Sequence, residues 1–440
     1  MKLAVVVQRY GADIAGGAEL HARYIAERLS AHATVEVLTT CARDYITWRN
    51  ERPAGTEPIN GITVRRFPVR HERHPETFGR RSTVVFEETH SMADELSWLD
   101  AEGPASPALT RFIETHGAEY DFLIFFSYRY YHAYHGARAA GGRAILVPTA
   151  ERDPAIGVSL FQPLFRSVRA LMYNSPEERA LIQAVAGCGD VPGVVVGVGS
   201  EIRDDADAAR FRQRHQVDGP LALYVGRIDE NKGCGELFRF FQQYAQTTSS
   251  RLTLVLIGKS ILPIPDHPRI RHLGFLDDRE KFDALAAADL LVMPSYYESL
   301  SMVALEAWAL GRPVLANGRC DVLKGQCLRS NAGLFYESYP EFAATLRALE
   351  SDARLRGALG INGQAFFRRH YAWPVIEGKY LDMLSRLADD ERAGRPMRAR
   401  PVQPGWLQRR ARNLPPARHV LERATAPAAA TDRAAYEAQA

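Results

Sequence analysis

"LAVVVQRYGADIAGGAELHARYIAERLSAHATVEVLTT", residues 3–40, decides the architecture. Leu3 to Gln8 is an apolar run of the kind a fully buried strand makes. A glycine-bearing loop follows, and it leads into a helical stretch with Leu20, Tyr24, Ile25 and Leu29 on one face. "TVEVLTT" (34–40) is a second strand. Strand, crossover helix and strand in about forty residues form a βαβ unit, which calls for a parallel sheet.

The same alternation continues outward. "GITVRRFPV" (61–69) reads as a strand, "ALTRFIETHG" (108–117) as a helix, and "YDFLIFFS" (120–127) and "RAILVPTA" (143–150) as strands. "LFRSVRALMYNSPEERALIQAVAG" supplies helix, strand and helix, and "GVVVGVGSEI" (193–202) ends the series. It restarts at "LALYVGRIDENKGCGELFRFFQQYAQ" (221–246), again a strand, a glycine loop and a helix. "RLTLVLIGK" (251–259), "IRHLGFL" (270–276), "KFDALAAADLLVMPS" (281–295), "LEAWALGRPVLAN" (305–317) and "GLFYES" (333–338) carry it on. Two series that open alike predict two similar α/β domains, 1–198 and 199–372, facing one another across a cleft. The polar stretch 197–219 is expected to link them. The amphipathic helix 373–389 carries Val375, Ile376, Tyr380, Leu381 and Leu384 on one side.

A chain of 440 residues, 46% hydrophobic, suffices for two cores. The net charge of +3 is uneven: residues 391–440 hold ten Arg against four acidic residues, leaving the body slightly acidic and unsuited to nucleic acid. Five cysteines with no CxxC indicate neither a disulfide framework nor a zinc site, and a reducing cytosol fits. "MKLAVVVQRY" is short of a signal-peptide core, and no apolar run approaches the ~18 residues a membrane span requires. The Arg-, Ala- and Pro-rich segment 390–440 reads as a disordered, solvated tail. Within it, Trp406, Leu407, Val420 and Leu421 stand among arginines, the pattern that would touch an anionic membrane surface.

Two constellations carry chemistry. In "VGRIDENKG" (225–233), Gly226 ends a strand, Arg227 follows at its carboxyl edge, and Lys232 precedes Gly233 at a helix start. Ligands of open α/β sheets bind outside the carboxyl ends of the strands, so two cations beside a helix N-terminus describe a phosphate or diphosphate site. In "ESLSMVALEAWALG" (298–311), Glu298 lies in the loop after a strand and Ser299 or Ser301 can cap the next helix. Glu306 falls within that helix, near a domain surface. Two carboxylates framing an apolar stretch need partners, since an unpaired buried charge is costly. Read as ordinary surface cations and a loop carboxylate, each constellation alone is unremarkable; together they point to a ligand.

Arg-x₄-Lys-Gly after one strand and Glu-x₇-Glu after a later strand of the same domain resemble glycosyltransferase family 4, of the GT-B fold. "GRIDENKG" is similar to that family's diphosphate loop and "ESLSMVALEAWALGRPVLA" to its donor-sugar and ribose motif. "GGAELHARYIAERL" (16–29) resembles its N-terminal glycine loop, and "HLGFLDDREKFDALAAADLLVMPS" (272–295) the stretch lining the base. The resemblance implies two Rossmann-like domains with a central cleft and a retaining transfer of a hexose-type sugar from a nucleoside-diphosphate sugar. The acceptor would be a glycan, a lipid-linked group or a small molecule. No cofactor or metal is implied, because Arg227 and Lys232 would stabilise the departing nucleotide.

On the same footing, Glu306 would accept ribose hydroxyls. Glu298 would hold the donor sugar with the backbone of Ser299, Leu300 and Ser301. Gly16 and Gly17 would let backbone approach the ligand, and Lys259 and Phe275 would neighbour the nucleoside. The two glutamates would be kept ionised by sugar hydroxyls, amides and the two cations. The helix 373–389 would return to the first domain.

The sequence departs from the family within "AILVPTAERDPA" (144–155), where many relatives carry a histidine after the strand and this one reads Thr149, Ala150, Glu151, Arg152, Asp153. Glu151 or Asp153 could substitute for it, and Tyr128 and His132 after "DFLIFFS" are further candidates for the acceptor side. Rival readings are a nucleotide-sugar epimerase of the same fold, a sugar-nucleotide-binding protein without turnover, and a Rossmann oxidoreductase. The last is disfavoured because "GADIAGG" lacks the GxGxxG spacing and "TVEVLTT" lacks a terminal acid for the ribose. Cytoplasmic residence, with the tail at the inner membrane face, is the expected location.

Overall fold

The computed structural model describes residues 1–14 and 16–395. Eight strands form the first sheet: β1 (Lys2–Val6), β2 (Thr34–Thr40), β3 (Gly55–Ile59), β4 (Ile62–Phe67), β5 (Phe122–Phe126), β6 (Ala144–Val147), β7 (Ala170–Tyr173) and β8 (Gly193–Val195). Six form the second: β9 (Leu221–Val225), β10 (Thr253–Ile257), β11 (Ile270–His272), β12 (Leu290–Met293), β13 (Val314–Asn317) and β14 (Gly333–Tyr336).

The first sheet runs β3-β4-β2-β1-β5-β6-β7-β8 and the second β11-β10-β9-β12-β13-β14. Every pairing is parallel except the β3–β4 hairpin at the edge. β3 escapes sequence reading because "GTEPI" is short, exposed and interrupted by Pro58, traits that suit an edge strand and give no apolar alternation. Leu3 through Val6 and Leu123 through Phe126 are wholly buried, as strands covered by helices on both faces must be. In both sheets the order reverses beside the opening strand, between β1 and β5 and between β9 and β12. That reversal creates a crevice at the carboxyl ends, where doubly wound sheets take ligands.

Three features differ from expectation. The stretch 197–219 is only half linker: Asp207 caps a helix, Ala208–His215, which buries Phe211. Arg210 of that helix pairs with Asp283 at 2.6 Å, tying it to the second sheet's helices. Only Gly193–Val195 of the expected strand 193–202 is strand. Helices Pro75–Glu87 and Met92–Glu102, between β4 and β5, have no counterpart in the sequence reading.

The helix Trp373–Arg392 buries Trp373, Ile376, Tyr380, Met383, Leu384 and Leu387. It lies against the first domain: Tyr24 and Trp373 meet edge to face at 5.6 Å, and the Tyr380 hydroxyl is 3.3 Å from His21 Nε2. The tail expectations for 396–440, the membrane-touching segment included, lie outside the described residues. No helix among the described residues is long and apolar enough to cross a membrane.

Candidate active site in the interdomain cleft

At the β9 end, the loop from Gly226 to Gly233 is ordered by Asp229, whose Oδ1 accepts the Lys232 amide at 2.8 Å and whose other oxygen pairs with Arg227. Gly226 has φ +156°, and a Cβ there would stand 3.0 Å from the Tyr224 hydroxyl. Gly233 is in the left-handed region (φ +69°), where a Cβ would stand 2.0 Å from the Pro294 carbonyl oxygen, so the loop can close onto the β12 end only with glycine. The Arg227 guanidinium also donates to the hydroxyl of Tyr45, from the first domain, at 3.0 Å.

Lys232 Nζ lies 2.7 Å from Glu298 Oε1, which joins the two sequence constellations directly. Burial opposes the ammonium charge. The carboxylates of Glu298 and Glu151 outweigh it and hold the Lys232 pKa above its ordinary value.

After Glu298, Ser301 and not Ser299 caps the helix Met302–Ala309, its Oγ accepting the Ala304 amide at 3.2 Å. Ser299 Oγ accepts from Asn174 Nδ2 of the first domain at 3.3 Å, and Leu300 is buried. Glu306 is more deeply placed than expected, only 3% exposed, within the contact between domains. Its Oε1 accepts from Ser200 Oγ at 2.7 Å and from Lys281 Nζ at 3.1 Å, while Oε2 is buried without a partner. The charge that balances Glu306 is therefore Lys281, not Arg227 or Lys232. Burial opposes the Lys281 charge too, and Glu306 with Asp278 holds its pKa above the ordinary lysine value. Sequence reading missed Lys281 and Ser200 because each looks like a surface residue of a polar segment, with no spacing that points to Glu306.

Lys259 and Phe275 follow the neighbouring strands β10 and β11, and both are exposed, Phe275 by 67%. The Gly258 amide donates to the Gly274 carbonyl at 2.7 Å, which sets the two loops side by side on the rim. Gly17 begins the helix Gly17–Leu29 with open space where a Cβ would sit. At Gly16 a Cβ would collide with the Glu19 carboxylate, 2.2 Å away, and that carboxylate forms a buried pair with Arg9. An internal ion pair thus explains Gly16 without a ligand.

The acceptor-side candidates separate. His132 is wholly buried, with Nε2 2.9 Å from the Phe126 carbonyl, and burial pushes its pKa down to about 4. Tyr128 is buried with its ring against Phe161 and Phe165. Neither is exposed to the cleft; both follow a strand whose end turns into the core. Asp153 is committed to Arg129 at 2.8 Å, which also pairs with Glu102 at 2.8 Å. Glu151 is half-buried and, unlike its neighbours Ala150 and Arg152, does not line the cavity beside Glu298. Desolvation, with Lys232 lowering and Glu298 raising, leaves its pKa pushed up to about 7.

Beside Glu298, a cavity of about 80 Å³ opens between the domains, lined by Ala150, Arg152 and Glu178 from one side and Tyr296, Tyr297 and Arg319 from the other. Arg152 bridges it to Asp321 at 2.8 Å. Among the described residues, no group of three or more His, Cys, Asp or Glu is placed to hold a metal ion.

Residues 205–366 match the family model described as "Glycosyl transferases group 1". Over 127 residues the chain is 35% identical to glycogen synthase of Mycobacterium tuberculosis, 26% of this chain and 31% of that one. Over 274 residues it is 28% identical to D-inositol 3-phosphate glycosyltransferase of Kineococcus radiotolerans, 55% and 63% of the two chains. The chain thus spans from about a third to under two thirds of the length of these curated relatives.

Among solved structures, sucrose-phosphate synthase from Thermosynechococcus elongatus superposes with a TM-score of 0.67 at 19% identity, covering 88% of this chain and 99% of that one. Anabaena HepE, in complex with UDP and glucose, superposes with a TM-score of 0.64 at 17% identity, covering 88% and 100%. The chain has the GT-B fold, and its residues 205–366, which hold the β9 and β12 loops, carry the signature of glycosyl transferases group 1.

Proposed function

We propose that this chain is a retaining glycosyltransferase of family 4, moving a hexose-type sugar from a nucleoside-diphosphate sugar to an acceptor hydroxyl in glycan, polysaccharide or glycolipid synthesis. The observation that carries the reading is Glu306. A buried carboxylate with one oxygen satisfied by Ser200 and Lys281 and the other unpartnered is a costly arrangement unless a donor arrives. A ribose diol supplies that donor, and the exposed Phe275 offers the adjoining base a ring to stack on.

Arg227 and Lys232 then exchange their carboxylate partners in part for the diphosphate, where they meet the charge that grows as the sugar–phosphate bond breaks. The first amides of helix Met302–Ala309 add to that field. Glu298, freed from sole pairing with Lys232, accepts hydroxyls of the donor sugar. With two cations and a helix end at the leaving group, the charge is balanced without invoking a metal. Closure of the domains, through contacts such as Tyr45–Arg227 and Asn174–Ser299, keeps water from the donor. Cytoplasmic residence with the basic tail at an anionic membrane surface fits an acceptor held there.

The test is release of nucleoside diphosphate from UDP-glucose, GDP-mannose and ADP-glucose, with the anomeric configuration of the product read by NMR. Turnover of one donor with retention, lost in Glu306→Ala, is expected. Inversion would refute the family 4 assignment, and absence of turnover with all three would favour a binding protein.

A further inference from the structure

The loop between β2 and β3 is fastened on both sides of its tip. Asp44 Oδ2 accepts the Thr47 amide at 2.5 Å and the Thr47 hydroxyl at 2.6 Å. Arg73 donates its amide to the Thr47 carbonyl at 2.6 Å and its Nη1 to the Tyr45 carbonyl at 3.2 Å. The buried Trp48 donates its indole N–H to the Glu102 carbonyl at 2.7 Å and holds a left-handed backbone, φ 58°. A bulky residue keeps that conformation only where its surroundings impose it.

What this frame presents is Tyr45, 38% exposed. The guanidinium of Arg9, from the first domain, lies 5.5 Å from its ring centroid, and that of Arg227, from the second, lies 5.6 Å away. Among the described residues, Tyr45 is the one first-domain residue hydrogen-bonded to the loop 226–233, through the 3.0 Å bond its hydroxyl accepts from Arg227 Nη1.

That bond leaves two donors over. Arg227 Nε goes to Asp229 and Nη1 to Tyr45, while Nη2 donates to no described residue. The Tyr45 hydroxyl accepts from Arg227, and its own proton meets no acceptor among the described residues. Asp229 and Tyr45 together fix the plane of a rigid fork, so its remaining N–H groups keep one direction. A hydroxyl that accepts from a cation is polarised toward donating. Two unused donors, one from each domain, stand side by side at a loop that already carries Lys232, and together they suit an oxyanion. Arg9, Arg227 and Lys232 are each matched by a carboxylate, Glu19, Asp229 and Glu298. A neutral phenol therefore adds a hydrogen bond to an anion without adding repulsion among the cations.

We propose that the Tyr45 hydroxyl is a ligand of the donor's diphosphate, reaching the second domain's site from the first. The inference rests on the donor reading above. The hydroxyl keeps its bond from Arg227 and turns its proton to a phosphate oxygen, beside the one that Arg227 Nη2 takes. The diphosphate is then held from both domains, and the fastened loop that carries Tyr45 makes closure of this part of the cleft depend on it.

The experiment is isothermal titration of the full chain and of Tyr45→Phe with UDP, GDP and ADP, with the matching nucleosides followed by ligand-observed NMR. Tyr45→Phe keeps the ring against Arg9 and Arg227 and removes only the hydroxyl. Expected is a loss of about tenfold in affinity for the diphosphate the wild type prefers. Affinity for the corresponding nucleoside, which lacks the phosphates, should stay within about twofold. Diphosphate binding at wild-type affinity in Tyr45→Phe would take the hydroxyl out of the site, and an equal loss for nucleoside and diphosphate would make Tyr45 a support of the loop alone. Either result overturns the proposal and leaves the donor reading standing. A wild type that binds none of the three diphosphates overturns both.

Discussion

Glu178 ties the first domain's rim to pH. Its carboxyl accepts the amides of Ala150 and Asn174, yet desolvation dominates, with Glu151 adding repulsion, and its pKa is pushed up from 4.5 to about 8. The folded state therefore holds a proton that the unfolded state gives up near 4.5, and stability falls as pH rises from there to about 8. Glu178→Gln, neutral throughout, should show a flatter dependence in urea unfolding across that window; an unchanged slope would place the proton elsewhere. Lys281 makes the complementary case. Lys281→Met leaves Glu306 buried without its cation, which typically costs ~3–5 kcal/mol when one partner of a buried pair is removed. Thermal unfolding and nucleotide affinity should both suffer. Glu298 and Glu306 were legible as a pair from their spacing, whereas Lys281, Ser200 and Tyr45 were not, because each reaches the site from a different element and contacts across sequence distance leave no periodic trace.

Loops and caps decide the geometry at the scale of elements. Ser301→Ala removes the oxygen that accepts the Ala304 amide, and a lost N-cap costs about 1 kcal/mol. A modest drop in the denaturation midpoint is expected. Gly233→Ala is a harsher change. Its Cβ would stand 2.0 Å from the Pro294 carbonyl oxygen and it must hold φ +69°, so the loop has to move. Loss of nucleotide binding with the fold retained by circular dichroism is the expected outcome, and binding at wild-type affinity would show that the loop is tolerant. The βαβ alternation was readable because buried parallel strands are unbroken apolar runs and their crossover helices are amphipathic. The helices Pro75–Glu87 and Met92–Glu102 were not. The first buries only Val85 fully, and the second mixes buried Glu95 and Glu102 with Trp98 and Leu99, so neither shows a clean apolar stripe.

Two chain crossings and one long helix join the domains of the whole molecule. Gly199 lies where a Cβ would meet the Trp373 ring at 2.6 Å, so the outgoing and returning segments are packed against each other. The helix Trp373–Arg392 then seals that junction onto the first domain. Leu384→Ala, at a wholly buried position of this helix, should cost about 2–5 kcal/mol. Arg152→Ala, which breaks an exposed bridge with Asp321, should leave the unfolding midpoint nearly unchanged while altering donor turnover if that bridge governs closure. The two-domain plan was visible in the restart of the pattern at residue 221. The apolar stripe of the last helix carries no address of its own; its return to the first domain was expected from the family resemblance, and the Tyr24–Trp373 and His21–Tyr380 contacts show where it packs.

The central claim is that the β9 and β12 loops of the second sheet form one nucleotide site built around Arg227 and Glu306. Isothermal titration of the full chain with UDP, GDP and ADP, repeated on Arg227→Ala and Glu306→Ala, tests it most directly. Saturable binding with preference for one nucleotide, weakened by more than about 1 kcal/mol in each variant, is the expected result. No binding to any of the three, or binding indifferent to both substitutions, would contradict it.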